Sequence, residues 1–384
     1  PPRSTLFPYT TLFRSEFHGT GGRITWEKAG YPAGDVFADL EDYIINTSRN
    51  NFIIDSAWLT HKTYFKEPVR GVLSDQAISF RNKQNANFPK FETYVKEFKL
   101  DNIYEGVNYE GGMTIEGATV KGTGTSAFPA RVTLFRKDTL YLNITSTEYL
   151  FDQNGLTSAE TSATLYLEND SIYHSNLGFS YNAGQRLVNL YRAANPVSKS
   201  PYFNSFHNLD MYFELLSWNM NESKIMMTRP RGAALGMAAF ESASFFDSNY
   251  FLRLSGIDQY HPLNRLRKFA DWYYSDTFPV EELAKWMNKP LEAVTSMCID
   301  MANKGFIVYN RAFNEITLKK KVDDFLTAFA RKKDYDILYF TSETKAPVDN
   351  AILDLKDNLI TVNGVQVIYR SEEHTSELQS RQSI

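Results

Sequence analysis

Leu140–Thr145 reads LYLNIT and Ala163–Leu167 reads ATLYL, and these two stretches decide the fold class. In the first, Leu140, Leu142 and Ile144 alternate with Tyr141, Asn143 and Thr145. In the second, Ala163, Leu165 and Leu167 alternate with Thr164 and Tyr166. A period of two sends successive side chains to opposite faces of an extended chain, so each stretch predicts a strand with one face on a core. The same rhythm runs from Gly22 to about Arg192, with no helical window longer than a turn or two. Turn residues interrupt it at Gly111-Gly112, Asn154-Gly155, Asn169-Asp170 and Asn182-Ala183-Gly184. Many short strands with frequent breaks predict a mainly β chain, built as a stacked sheet, a solenoid-like stack or a folded-over sheet.

Beyond this region the rhythm changes. Residues 193–260 read as a mixed connecting region: Pro196 and Pro201 bracket a linker-like stretch, and the apolar run Asp210–Trp218 fits strand or helix. The small-residue run Gly232–Ala239 predicts close backbone approach or a flexible connection. In residues 261–332, Leu263, Leu266, Phe269, Ala270 and Tyr273 recur at helical spacing. A second helix follows Thr277-Phe278-Pro279 with Glu281 and Glu282 in its first turn, where carboxylates complement the helix dipole. Pro290 opens a third helix that stops at Gly305. Two strands, Phe306–Tyr309 and Glu315–Leu318, and a helix over about Val322–Ala330 complete the section. That order resembles a winged helix, over about sixty residues. In residues 333–369 the strand pattern returns, and Asn363-Gly364 predicts a two-residue hairpin between Ile360–Val362 and Val365–Tyr369.

Composition narrows the function classes. At 384 residues the chain has room for two or three domains of roughly 100–200 residues each. Aromatics reach 15%, which suits half-buried pleated surfaces and leaves open an aromatic carbohydrate-binding face. With 41 basic against 45 acidic residues, no global field draws in nucleic acid or an anionic membrane. The single cysteine, Cys298, rules out an internal disulfide within this sequence and has core spacing on its helix. No stretch approaches the ~18 apolar residues needed to span a bilayer as a helix.

No ordered catalytic set emerges. His207 precedes Asp210 by three residues, and Asp258 precedes His261 by three, so either pair could orient an imidazole for general-base work. Asp210 and Glu214 are the best carboxylate pair for glycoside cleavage, beside Tyr212, Phe213 and Trp218, which could stack on a sugar. The structural alternatives are hydrogen-bonded histidines, solvent-facing acids and a buried aromatic stripe. His18, His61 and His174 stand alone. No metal site and no cofactor is expected. On the third helix the outward residues Glu292, Thr295, Asp300, Asn303 and Lys304 would turn two carboxylates toward phosphates, so DNA binding is not expected. Lys319-Lys320-Lys321 reads as a solvated charge run.

Two resemblances complete the reading. Ser4–Ser15 (STLFPYTTLFRS) and Arg370–Ser380 (RSEEHTSELQS) resemble translated sequencing-adapter sequence, which marks residues 1–15 and 370–384 as artefact. The remainder, from about Glu16 to Tyr369, is then expected to be a piece of a longer protein. Gly22–Trp26 (GRITW), Asn169–His174 (NDSIYH), Ser200–Met211 (SPYFNSFHNLDM), Phe240–Ser244 (FESAS) and Lys304–Tyr309 (KGFIVY) carry a resemblance to large uncharacterised envelope proteins of Gram-negative bacteria. That family has no assigned activity. The resemblance implies a periplasmic or outer-membrane-associated location, with other envelope proteins or further copies of the chain as partners. The expectation is a non-enzymatic structural or interaction protein. The alternative is a carbohydrate- or lipid-binding or processing β protein, and a DNA-binding regulator ranks last.

Overall fold

The computed structural model describes residues 16–76, 86–152, 154–255, 260–335 and 338–369. Both adapter-like segments and Asp258 lie outside the described residues. The chain is mainly β, with large antiparallel sheets. It divides into two compact units, the first made of residues 1–100 and 112–122 and the second of 101–111 and 123–384.

In the first unit, Arg23–Thr25, Val36–Leu40, Asn51–His61, Val69–Gln76 and Lys90–Thr93 pair in sequence order as an antiparallel meander. Alternation, shifted by an irregularity between Ile54 and Ala57, places Ile54, Ala57, Leu59 and His61 inward along Asn51–His61. His61 sits among Tyr31, Tyr64 and Phe65, and among the described residues neither of its ring nitrogens has a hydrogen-bond partner.

In the second unit, Leu142–Thr145 pairs with Ser162–Leu165, and both decisive stretches are strands with the expected inward residues. The long hairpin Gly155–Leu167 and Asp170–Asn182 is where the sheet forks. The second half of Asp170–Asn182 pairs with Leu187–Arg192, and pairing continues through Leu215–Asn219, Lys224–Thr228, Ala351–Asp354 and Leu359–Val362. Its first half pairs with Tyr202–Asn204, and this second branch runs through Leu209–Tyr212, Leu235–Ser242, Tyr339–Lys345 and Val365–Tyr369.

Two local expectations, the turn at Gly111-Gly112 and the hairpin at Asn363-Gly364, are corrected, and two others are narrowed to one of their alternatives. Gly111-Gly112 is no turn but lies inside the strand Val107–Glu116. A Cβ on Gly111 would stand 2.6 Å from that of Ala130, so the glycine serves close approach. The Asp210–Trp218 run is two strands broken at Phe213-Glu214, one in each branch. The Gly232–Ala239 run leads into a central strand, where Gly236 packs against Asn350. Asn363-Gly364 closes no hairpin: its two flanking strands pair with different partners.

Instead, Asn363-Gly364 carries the chain from one branch to the other. Asn363 N donates to Asn350 O (2.8 Å), and Glu343 N donates to Gly364 O (2.8 Å). Gly364 has φ +60°, and a Cβ there would stand 2.1 Å from Glu343 O. Gly364→Ala is therefore expected to lower stability by about 1–3 kcal/mol, read as a lower midpoint in chemical denaturation with an unchanged slope.

Between the strands Leu235–Ser242 and Tyr339–Lys345 lie the helices α1 (Ser248–Leu254), α2 (Pro262–Tyr273), α3 (Val280–Met287), α4 (Leu291–Asn303) and α5 (Lys321–Phe329). The hairpin Ile307–Asn310/Glu315–Leu318, joined by Thr277–Pro279, forms a three-stranded sheet among them. Leu266, Phe269, Phe278, Val294, Cys298, Met301, Phe306 and Phe325 make one core. Cys298 is fully enclosed, and burial pushes its thiol up to about 12, so it is packing.

Candidate functional site

Val197 belongs to the core of the helical section although it comes from the linker-like stretch. Pro196–Lys199 forms a 3-10 turn whose first residue is proline, with the Asn195 side chain accepting from Ser198 N (3.1 Å). The turn packs against α4 and buries Val197, a contact worth about 1.5–3 kcal/mol. Arg192 closes the turn by donating from Nη1 to the carbonyls of Ser198 and Ser200. His174 lies beneath, its Nδ1 accepting from Asn176 N (3.0 Å), so the proton is on Nε2, which donates to Ser200 O (2.9 Å). Burial, with Arg192 alongside, pushes the His174 imidazole down to about 3 and keeps it neutral. Tyr202 stacks on Phe213, ring centroids 4.2 Å apart, and completes the packed layer.

Next to this layer lies a buried charge network. Asp210 and Glu241 stand directly opposite each other on neighbouring antiparallel strands, an arrangement that repels unless a cation intervenes. Lys321 intervenes: its Nζ donates to Asp210 Oδ2 (3.0 Å), to Glu241 and to Lys304 O (3.2 Å). Lys319 Nζ donates to Asp210 Oδ1 (2.7 Å) and lies 4.6 Å from the Phe203 ring. Asp210 and Lys321 are almost fully enclosed.

Both lysines come from the helical section and both carboxylates from the sheet. Lys321 is the first residue of α5, where the helix dipole disfavours a cation, and the two carboxylates offset that cost. Gly305 gives the network room, since a Cβ there would stand 2.6 Å from Asp210 Oδ2. Burial alone would raise the Asp210 carboxyl, but Lys321 and Lys319 hold it below its ordinary value. Asp210 and Glu241 hold the Lys321 ammonium well above its ordinary value, against its burial. Burial pushes Glu241 up and Lys319 down. Every carboxylate here has an ammonium partner, so the arrangement fixes charge in place and holds two chain segments together.

A cleft of about 890 Å³ opens beside the network, lined among others by Tyr173, Phe203, His207, Lys319 and Lys333. A smaller hollow of about 400 Å³ shares Tyr173 and Ser175 with it and is lined by Ser162, Asn176 and Phe313. An Arg311–Glu160 ion pair, from the hairpin to the strand Gly155–Leu167, borders the hollow.

The candidates read from sequence disperse. Asp210 faces lysines, while Glu214 is exposed in the break between two strands, so the pair does not converge. His207 does not orient on Asp210; its Nδ1 lies 3.1 Å from the Asn204 side-chain amide. His261 caps α2, its Nδ1 accepting from Leu263 N (3.2 Å), and its ring stacks on Phe251 at 3.9 Å. Phe213 and Trp218 are core, with Trp218 Nε1 donating to Glu222 O (3.2 Å), and Tyr212 is only partly accessible. They do not form an aromatic binding face: Phe213, in the break between strands, stacks on Tyr202, and Trp218 is turned inward on its strand. The Lys319–Lys321 run is not a solvated face either: only Lys320 is solvent-exposed. His174, expected to stand alone, is instead held by Asn176, Ser200 and Arg192, and Arg192 had no expected role. The readable signal was an acid in each of two apolar strands, DMYF and AAFES, which must find cations somewhere.

Among the described residues, no group of three or more His, Cys, Asp or Glu side chains is arranged to hold a metal ion, and no helix is long and apolar enough to cross a membrane. No protein family, curated protein or solved structure matches this chain.

Proposed function

We propose that this chain is a non-enzymatic structural or interaction protein of the bacterial cell envelope, a folded-over β scaffold carrying a winged-helix-like module for contact with other proteins. The observation that carries the reading is the Asp210–Glu241–Lys319–Lys321 network: the carboxylate best suited to chemistry is spent on seating the helical section. The order α2, α3, α4, hairpin supports the winged-helix likeness. Helix α4 stands where such a module would read DNA, but it packs against the 3-10 turn and exposes Glu292 and Asp300. Both would repel phosphates.

The envelope assignment is tested by expressing the complete open reading frame with a C-terminal tag in a Gram-negative host and fractionating the cells. Sedimentation with the envelope is the expected result; recovery in the cytoplasmic fraction would overturn the location. The cleft beside Tyr173, with its hydroxyl-rich neighbour, favours a polysaccharide ligand as a second reading. A rise in melting temperature with a polysaccharide, abolished by Tyr173→Ala, would replace the first reading with the second.

A further inference from the structure

At the end of α2 the chain presents Trp272, Tyr273 and Tyr274 in succession, and α3 adds Trp286. Trp272, Tyr273 and Trp286 fan around the buried Phe269, with ring centroids 5.6, 5.5 and 5.5 Å from it, so they form one surface. Trp272 is 60% exposed and Tyr274 95%. Tyr274 occupies the helix C-terminal position at φ +56°, a left-handed conformation that glycine or asparagine fills without strain. A tyrosine there costs conformational energy and buries none of its ring, so folding does not explain it.

The flank of this surface is acidic. Arg267 serves Asp271 (2.8 Å), Asp276 (2.8 Å) and Asp323 (3.6 Å), one guanidinium among three carboxylates. The surplus shows at Asp323, whose carboxyl is raised by burial and by Asp276 and Asp271, against Arg267. Exposed π faces beside carboxylates that share a single guanidinium favour a cation that is both stacked and paired.

We infer that Trp272, Tyr273, Tyr274 and Trp286, with Asp271 and Asp276, form a docking surface for a lysine- or arginine-bearing segment of a partner protein. The inference rests on the reading of the helical section as a protein-contact element and supplies the chemistry of its partner.

The test titrates the full chain with octalysine and octaarginine peptides by calorimetry, with octaglutamate as control. Binding of the basic peptides is expected, weakening as salt is added. Trp272→Ala and Tyr274→Gly should each weaken it roughly five- to tenfold, the loss of one partly desolvated cation–π contact. Tyr274→Gly removes the ring while relieving the backbone, so its melting temperature should hold or rise, which separates lost recognition from lost folding. Asp271→Asn with Asp276→Asn should weaken binding and flatten its salt dependence.

Failure of the basic peptides to bind, equal binding by the ring variants, or binding of octaglutamate would overturn the inference. So would self-association of the chain that Tyr274→Gly abolishes, since a second copy would then be the occupant. None of these outcomes bears on the cell fractionation, so the docking surface and the envelope location stand or fall separately.

Discussion

Lys321→Met is expected to lower the stability of the second unit by about 3–5 kcal/mol, the usual consequence of leaving a buried charge without its partner. The substitution keeps a long apolar stem at the start of α5 but removes the ammonium between Asp210 and Glu241. Two carboxylates would then face each other across adjacent strands, with only Lys319 left to compensate Asp210. The mutant's way out is to protonate Glu241, which burial already pushes upward. Its loss should therefore be smaller at mildly acidic pH than at neutral pH.

The decisive comparison is with the triple variant Lys321→Met, Asp210→Leu, Glu241→Leu. Removing all three charges exchanges desolvated ions for packing and is expected to recover most of the loss, because the cost lies in unmatched charge and not in the absence of the bridge. Denaturant midpoints of the wild type, single and triple variants decide it. A single variant as stable as the wild type would show that the network does not hold the helical section to the sheet.

That network shows where sequence reading stops. Alternation around Leu142 and Ala163, and helical spacing from Leu263 to Tyr273, are local signals, and the structure has strands and helices there. Asn363-Gly364 failed because turn chemistry reports only that the chain reverses, not with which strand each flank pairs. Lys319 and Lys321 were misread for a related reason. A charge run looks solvated until a partner more than 100 positions away arrives to bury it, as Asp210 does. His174 carried no local mark at all: its environment is made by Arg192, brought close by strand pairing, and by Ser200, brought close by a turn that reads as a linker.

The same histidine sets the second large expectation, a loss of stability between pH 6.5 and 4. Folded, the His174 imidazole is held down to about 3, first by burial and then by Arg192, while the Ser200 carbonyl works the other way and Lys319 adds the smallest lowering. Unfolded, it titrates near its ordinary value, so in this window the unfolded chain binds the proton and the folded chain does not. Stability is then complete above about pH 6.5 and falls as pH drops, by about 1.4 kcal/mol per unit at most, or of order 3 kcal/mol by pH 4. Glu241 opposes it, because a carboxyl raised in the folded state takes up its proton there first. Asp210, held low, adds its own loss only at more acid pH. The His174 share is therefore the difference between the wild type and His174→Gln, which keeps a donor for Ser200 O but cannot titrate. His61, pushed down to about 4 by burial in the first unit, should be controlled with His61→Phe in both proteins. Denaturation midpoints at half-unit steps across the window should show the wild type losing stability relative to His174→Gln, by of order 3 kcal/mol from the neutral to the acid end. Parallel curves would mean that His174 is protonated in the folded protein, and that the buried layer around Tyr202 admits a charge.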